Sequence, residues 1–240
     1  MTELSVVIPV HNEEANIQPL VDEVRQALDG RIEYELIYVN DGSSDATLAR
    51  LAEAGQACPE LRVISHAEST GQSTAVRTGV QHASGTWIAT LDGDGQNDPA
   101  DIPALYEALM ANNESGVQLV NGYRKKRKDT FIKRISSRLA NGIRSFLLKD
   151  ETPDTGCGLK VFSRSAYLEL PFFDHMHRFL PAMIQRGGGM VMSVEVNHRE
   201  RERGSSHYGF FDRLWVGVPD LMGVAWLQRR ATHPKVVKED

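Results

Sequence analysis

Residues 4–28 read LSVVIPVHNEEANIQPLVDEVRQAL, and the architecture follows from how this stretch divides. Leu4–Val10 is apolar without polar alternation, the pattern of a strand buried on both faces. From Glu14 to Leu28 the apolar residues Ile17, Leu20, Val21, Val24 and Leu28 recur at helical spacing. The same alternation repeats downstream. Strands are predicted at Glu35–Val39, Leu61–Ile64, Trp87–Leu91 and Gln118–Val120. Helices are predicted at Asp45–Ala57, capped by Ser44 or Asp45, at Thr74–His82 and at Asp101–Met110. Strands separated by single helices pair in parallel through right-handed crossovers, so the expected class is α/β with a mostly parallel sheet flanked by helices.

Beyond Tyr123 the pattern changes. A basic run, Arg124–Lys128, leads into an expected helix from Thr130 to Leu148. Asp150–Gly158 reads as a polar turn before a strand at Leu159–Phe162. A helix at Phe179–Gln185, a strand at Met190–Val196 and a helix from Phe210 to Arg229, broken near Pro219, complete the chain. The reading is one domain, residues 1–209, with a C-terminal amphipathic helix and tail at 210–240.

Composition excludes several classes. The 240 residues are 41% hydrophobic and 25% charged, enough to bury a core and unlike a disordered or collagenous chain. Two cysteines, Cys58 and Cys157, suggest neither a disulfide framework nor a thiolate metal cage. The N-terminus has no basic region before an apolar run, and no 18-residue apolar stretch occurs, so the expected location is cytoplasmic. The net charge of −5 hides a division: residues 1–120 carry 5 basic against 19 acidic groups, residues 121–240 carry 22 against 13. An acidic half suits a cation, and a basic half suits phosphates or an anionic membrane. Two differently decorated solvated surfaces explain the division equally well.

Three polar clusters follow strands one, two and four: Pro9–Glu14, Asn40–Asp45 and Asp92–Gln96. In open parallel sheets ligands gather at that carboxyl edge. Turn and capping chemistry uses the same residue types, so neither of the first two clusters is diagnostic alone. The third is more specific. An apolar strand delivers Asp92 and Asp94 one residue apart, between glycines that permit close approach, and a hard divalent cation relieves the repulsion of the carboxylates. Gln96 offers a neutral oxygen to the same ion.

With VVIPVHNEEANI (6–17), YVNDGSSDAT (38–47), GQSTAVRTG (71–79), ATLDGDGQNDPADIP (89–103), NGYR to SSRLAN (121–141), DTGCGLKVFSR (154–164) and HRERERGSSHYG (198–209), the chain resembles family 2 glycosyltransferases of the GT-A fold, particularly the dolichyl- and polyprenyl-phosphate sugar transferases. The resemblance spans about residues 4–215. It implies a Rossmann-like GT-A sheet with a C-terminal helical elaboration, a nucleotide-sugar-binding half at 1–122 and an acceptor-binding half at 123–209. It also implies roles residue by residue. Pro9, His11 and Glu13, with Asp41, contact the nucleoside. Asp92, Asp94 and Gln96 hold Mg²⁺ or Mn²⁺ and the donor diphosphate. Arg124 and Arg138 hold the acceptor phosphate, and Arg201 and Ser206 lie in a segment that closes over the diphosphate. His207 stands where many relatives carry Lys.

The expected activity is metal-dependent, inverting transfer of a hexose from a GDP- or UDP-sugar to a polyprenyl phosphate. An anionic acceptor needs positioning by Arg forks rather than a strong base. Two alternatives stay open. One keeps the fold, glycosylates a hydroxyl and requires a carboxylate base such as Asp154 or Asp174. The other is a non-catalytic nucleotide-sugar-binding subunit with a membrane partner. The basic run reads as a solvated start of a helix or as a patch for an anionic lipid surface; without aromatic interleaving it does not suggest nucleic acid. The aromatic C-terminal helix reads as interfacial at the cytoplasmic membrane face, or as packed against the core or a second subunit, in a homodimer or with a membrane-protein partner. His175 and His177, near Arg178, read as ordinary surface histidines or as groups that touch an acceptor.

Overall fold

The structure is a computed structural model that describes residues 2–124, 142, 144–150, 152–200 and 210–232, with side chains described only from 217 onward in the last segment. The expected sites Arg138, Arg201 and Ser206, with His207, Lys125–Lys128 and most of the helix expected from Thr130, lie outside the described residues.

Seven strands form one sheet: β1 (Leu4–Val10), β2 (Tyr34–Asp41), β3 (Leu61–His66), β4 (Trp87–Thr90), β5 (Val117–Tyr123), β6 (Lys160–Ser163) and β7 (Met190–Glu195), in the order β3-β2-β1-β4-β6-β5-β7. The first four pair in parallel, as does β5 with β7. The helices are α1 (Ile17–Leu28), α2 (Thr47–Ala57), α3 (Gln72–His82), α4 (Ile102–Asn112), α5 (Arg164–Leu168), α6 (Leu180–Arg186) and α7 (Phe210–Arg229).

Burial explains the missing alternation in the strands. Leu4, Val6, Ile8 and Val10 pack toward α1, α2 and α4 in one apolar cluster, while Val7 packs toward α3 in another that also takes side chains from α5, α6 and α7. Both faces of the sheet are therefore dry, and each fully buried Leu or Ile contributes about 1.5–3 kcal/mol.

Four expectations are corrected. First, β5 is not the neighbour of β4. β6 inserts between them, antiparallel to both, with Thr90 opposite Lys160 and Val120 opposite Val161. Residues 154–159, which precede an antiparallel strand, are thereby carried to the carboxyl ends of β1, β2 and β4. Second, α1 and α2 begin at Ile17 and Thr47, later than expected, because the preceding polar residues are consumed by loop-to-loop hydrogen bonds. Asp45 still accepts from the Thr47 amide at 3.0 Å, although Ala46 holds the cap position. Third, α5 was not anticipated; Ser163 caps it by accepting from the Ala166 amide at 3.3 Å. Fourth, α7 runs through Pro219 without a break. Pro219 is exposed, so any bend it imposes is not opposed by core packing on its own face.

Candidate active site

The first two loops are stitched together by Asn12, a residue with φ of 56° whose side chain reaches across to the second loop. Its Oδ1 accepts from the Ser44 amide at 2.8 Å and the Asp45 amide at 3.3 Å, and its own amide donates to Ser43 Oγ at 2.9 Å. His11 Nδ1 donates to the Asp41 carbonyl at 2.7 Å, and the Asn12 side-chain amide nitrogen lies 3.2 Å from its Nε2. Glu13 accepts from Asn16 Nδ2 at 2.6 Å, and its amide donates to Thr47 Oγ1. Pro9, at the end of β1, backs this wall: a Cβ on Gly93 would stand 3.0 Å from its carbonyl, so the acidic loop passes the strand only because residue 93 is glycine. Pro9, His11, Glu13 and Asp41 are thus brought to one edge. Asn12, which organises them, was missed in the sequence.

Asp41 is held more tightly than a free nucleoside ligand would be. Its carboxylate accepts from the Thr70 amide at 2.9 Å, the Gly71 amide at 2.9 Å, Ser69 Oγ at 2.9 Å and Thr70 Oγ1 at 3.0 Å, and His66 Nδ1 lies 2.7 Å away. Burial alone would raise this carboxyl, but the Thr70 amide, His66, the Gly71 amide and Ser69 outweigh it and hold the pKa at about 2. Asp41 therefore anchors residues 69–71, the approach to α3.

Asp92 and Asp94 stand past the end of β4. The Asp92 amide donates to Asn97 Oδ1 at 3.1 Å, and the Gln96 amide donates to Asp94 Oδ1 at 3.0 Å. The Asp92 carboxylate lies flat against Gly158, where a Cβ would collide with it, and Gln72 Nε2 donates to its Oδ1 at 2.8 Å. Burial first, and Asp94 second, raise the Asp92 carboxyl, against the nearby Lys160 and Arg124 charges. Two hard carboxylates whose ionised forms repel one another, with an amide oxygen two residues on, suit Mg²⁺ or Mn²⁺. Among the described residues no group of three or more His, Cys, Asp or Glu side chains converges. Such an ion would take few ligands from the chain and fill its shell with water and phosphate oxygens.

Beside β6, cationic side chains from three segments gather: Arg124 just past β5, Lys160 at the start of β6, and Arg144 on the helical residues 144–148. Arg124 grips Asp154 with Nε to Oδ2 at 2.7 Å and Nη2 to Oδ1 at 2.9 Å. Lys160, buried at the start of β6, donates from Nζ to the Cys157 carbonyl. Burial lowers its ammonium pKa, opposed by Cys157, Asp92 and Asp154. Arg144 is also buried; it donates to the Thr152 carbonyl at 2.7 Å and lies 3.3 Å from Asp150 Oδ2. Sequence reading missed Lys160 and Arg144, whose local contexts are an apolar strand and a helix. The one available signal was a charged residue inside a buried strand pattern.

His177 corrects an expectation as well. It is not a surface residue: its Nδ1 is 2.7 Å from Ser73 Oγ, and burial, then Arg178, Lys160 and His175, lower its pKa to about 3. After β7, Arg199 ties the chain to the acidic loop, pairing with Glu23 at 2.7 Å and Asp98 at 2.5 Å while its amide donates to the Gln96 carbonyl at 3.0 Å.

A mostly parallel sheet carries an Asp-x-Asp loop at its carboxyl edge, the place where α/β proteins of this class gather ligands. Comparison with known proteins makes the class particular: residues 5–170 match the model of glycosyl transferase family 2, and the chain belongs to that family. It is a glycosyltransferase. It is 37% identical to dodecaprenyl-phosphate galacturonate synthase of Rhizobium johnstonii, over 97% of this chain and 69% of that one. It is 34% identical to undecaprenyl-phosphate 4-deoxy-4-formamido-L-arabinose transferase of Edwardsiella ictaluri, over 86% of this chain and 63% of that one, so it spans less than two thirds of the latter's length. In fold it matches glucosyl-3-phosphoglycerate synthase of Mycobacterium tuberculosis, solved with phosphoglyceric acid (TM-score 0.70, 22% identity, 98% and 81% covered). It also matches a mannosyltransferase of Pyrobaculum calidifontis solved with GDP-Man and Mn²⁺ (TM-score 0.71, 19% identity, 97% and 66% covered). The fold is GT-A.

Proposed function

We propose that the protein transfers a hexose, with inversion, from a nucleotide-sugar, GDP- or UDP-linked, to a polyprenyl phosphate at the cytoplasmic membrane face. The relatives named for dodecaprenyl- and undecaprenyl-phosphate support the acceptor class. The observation that carries the reading is the meeting of opposite charges at one sheet edge. The Asp92 carboxylate, beside Asp94 in the acidic loop, lies near the charges of Lys160, which the antiparallel β6 brings there, and of Arg124, just past the end of β5.

Residues 1–122 would hold the donor and 123–209 the acceptor. The Pro9, His11, Glu13 and Asp41 loops would seat the nucleoside, with Asp41 acting through residues 69–71. Asp92, Asp94 and Gln96 would hold Mg²⁺ or Mn²⁺, which supplies charge stabilisation to the leaving diphosphate. Arg124 uses two of its five donors on Asp154, and the others suit the acceptor phosphate beside Arg138. Arg201 and Ser206 would meet the diphosphate. A hydroxyl acceptor would need a carboxylate base, and Asp154, engaged by a bidentate guanidinium, is poorly suited to take a proton. That disfavours Asp154 as the base of the hydroxyl reading and leaves Asp174 as its remaining candidate.

For the membrane, α7 bears an exposed apolar stripe one turn apart, Val218 (56% exposed), Met222 (60%) and Trp226 (58%), with the Arg230 guanidinium 5.9 Å from the Trp226 ring. Phe146 (84% exposed) stands on the neighbouring helical residues 144–148, tied to α7 by Gln228 donating to the Leu148 carbonyl at 3.0 Å. Exposed apolar side chains with an arginine beside the outermost of them suit an anionic lipid surface. Among the described residues no helix is long and apolar enough to cross a membrane.

The test is calorimetric binding of UDP and GDP with Mn²⁺ and with EDTA, followed by transfer from the matching sugar conjugate to polyprenyl phosphate. Micromolar, metal-dependent binding that Asp94→Ala abolishes, with turnover on the lipid phosphate, is expected. Binding without turnover on any acceptor returns the non-catalytic reading.

A further inference from the structure

Gln72 is the first residue of α3, and its side chain is exposed, yet its amide bonds Asp92 Oδ1 at 2.8 Å. The chain reaches that position under constraint. Gly71 turns into the helix with φ of 93°, a conformation that L side chains rarely adopt, and its amide is bound to Asp41 Oδ2 at 2.9 Å. The Thr70 amide and hydroxyl and the Ser69 hydroxyl converge on the same carboxylate. Asp41, at the end of β2, thus fixes the backbone immediately before Gln72. Gln72 in turn bonds a carboxylate at the end of β4, although those strands are not neighbours but flank β1.

The Asp92 carboxylate has two fixed faces. Gly158 packs against it on one side, and the Gln72 amide binds one oxygen. Among the described residues the other oxygen, Oδ2, accepts no hydrogen bond. A carboxylate that gives one oxygen to a protein donor and the other to a hard cation is a monodentate ligand held in a single orientation.

We infer that Gln72 is the positioning residue of the acidic loop: it aims Asp92 for metal binding and, through residues 69–71, links that aim to the loop Asp41 anchors, so that nucleotide and metal favour one another's binding. This rests on the proposed nucleotide-sugar reading. It assigns Gln72 no contact with the reacting atoms. Linkage requires that the factor by which Mn²⁺ tightens nucleotide equals the factor by which nucleotide tightens Mn²⁺.

The experiment is calorimetry of UDP and GDP binding to the wild type and Gln72→Met, each in EDTA and in Mn²⁺, beside a thermal melt. Methionine keeps the length and helix preference of glutamine without the amide. Outer-shell partners of metal ligands typically change metal affinity by 10–100-fold. The expected result is nucleotide affinity in EDTA within about twofold of wild type, an unchanged melting midpoint, and a metal enhancement reduced about 10-fold. A purely structural role would move the midpoint or both affinities together, and either overturns the inference. So does a Gln72→Met enhancement within twofold of wild type while the wild type binds in a metal-dependent way. If the wild type binds neither nucleotide, the functional reading fails first and the inference with it.

Discussion

Arg124 and Asp154 face each other across the β5–β6 edge as a bidentate fork, with N–O distances of 2.7 and 2.9 Å and both side chains about nine-tenths buried. The Asp154 carbonyl is in turn held by Asn121 Nδ2 at 2.9 Å, so the fork fixes the turn that leads to Cys157, Gly158 and Lys160. Removing one member of such a pair strips the fork from a buried charge, at about 3–5 kcal/mol. Arg124→Met is therefore expected to lose stability in urea by about that amount, and Arg124→Met/Asp154→Leu to recover most of it. Equal losses in the single and double variants would show that the fork contributes little to the fold.

Gly158 makes a second test of the site. Its Cα lies against the Asp92 carboxylate, and an alanine methyl would occupy the same space. Gly158→Ala should weaken Mn²⁺-dependent nucleotide binding at least 10-fold with the circular dichroism spectrum unchanged. Gly217→Ala, in α7 where a methyl meets nothing within 4 Å, is the control. It should leave binding alone and stabilise by up to about 1 kcal/mol through helix propensity.

Acid stability separates two groups. His177 has a folded pKa of about 3, against an unfolded value of about 6.5. The folded state thus binds fewer protons in that window, and stability is lost as pH falls through it, by at most about 1.4 kcal/mol per unit. Asp41, held at about 2, contributes stability above about pH 3.9 that disappears only below it. His177→Gln should flatten the decline between pH 6.5 and 4 and leave the steeper loss below pH 4 in place. Parallel curves for wild type and variant across the upper window would remove His177 as its source.

The exposed stripe on α7 predicts a lipid dependence. Met222→Asp/Trp226→Asp should reduce sedimentation with anionic vesicles about 10-fold or more while nucleotide binding in solution stays unchanged. Neutral vesicles should bind the wild type less well than anionic ones, because Arg230 beside Trp226 then has no charge to meet. If the double variant instead changes the sedimentation coefficient of the free protein, the stripe covers a second copy of the chain.

Much of the fold was legible along the chain. β1 matches its expected span of Leu4–Val10 residue for residue, and α1 and α3 share their last residue with the expectation. Their signals are apolar runs and apolar periodicity, which are local. The loops carrying Pro9–Glu13, Asp41 and Asp92–Gln96 could be placed at one edge, because parallel crossovers put the ends of successive strands there. The position of β6 could not be read, since a four-residue apolar strand fits beside several neighbours and its pairing was decided by the packing of both sheet faces.

What the sequence by itself determined is therefore the strands and the longer helices, the acidic loop after the fourth strand and the family. Tertiary structure alone decided which charges share the site. Lys160 and Arg124 meet Asp92 and Asp154, Gln72 meets Asp92, and His177 meets Ser73 across 104 residues of chain. Helical and strand periodicity arise from backbone geometry within a few residues. The partner of a buried charge is set by desolvation, which takes effect only when distant segments close over it.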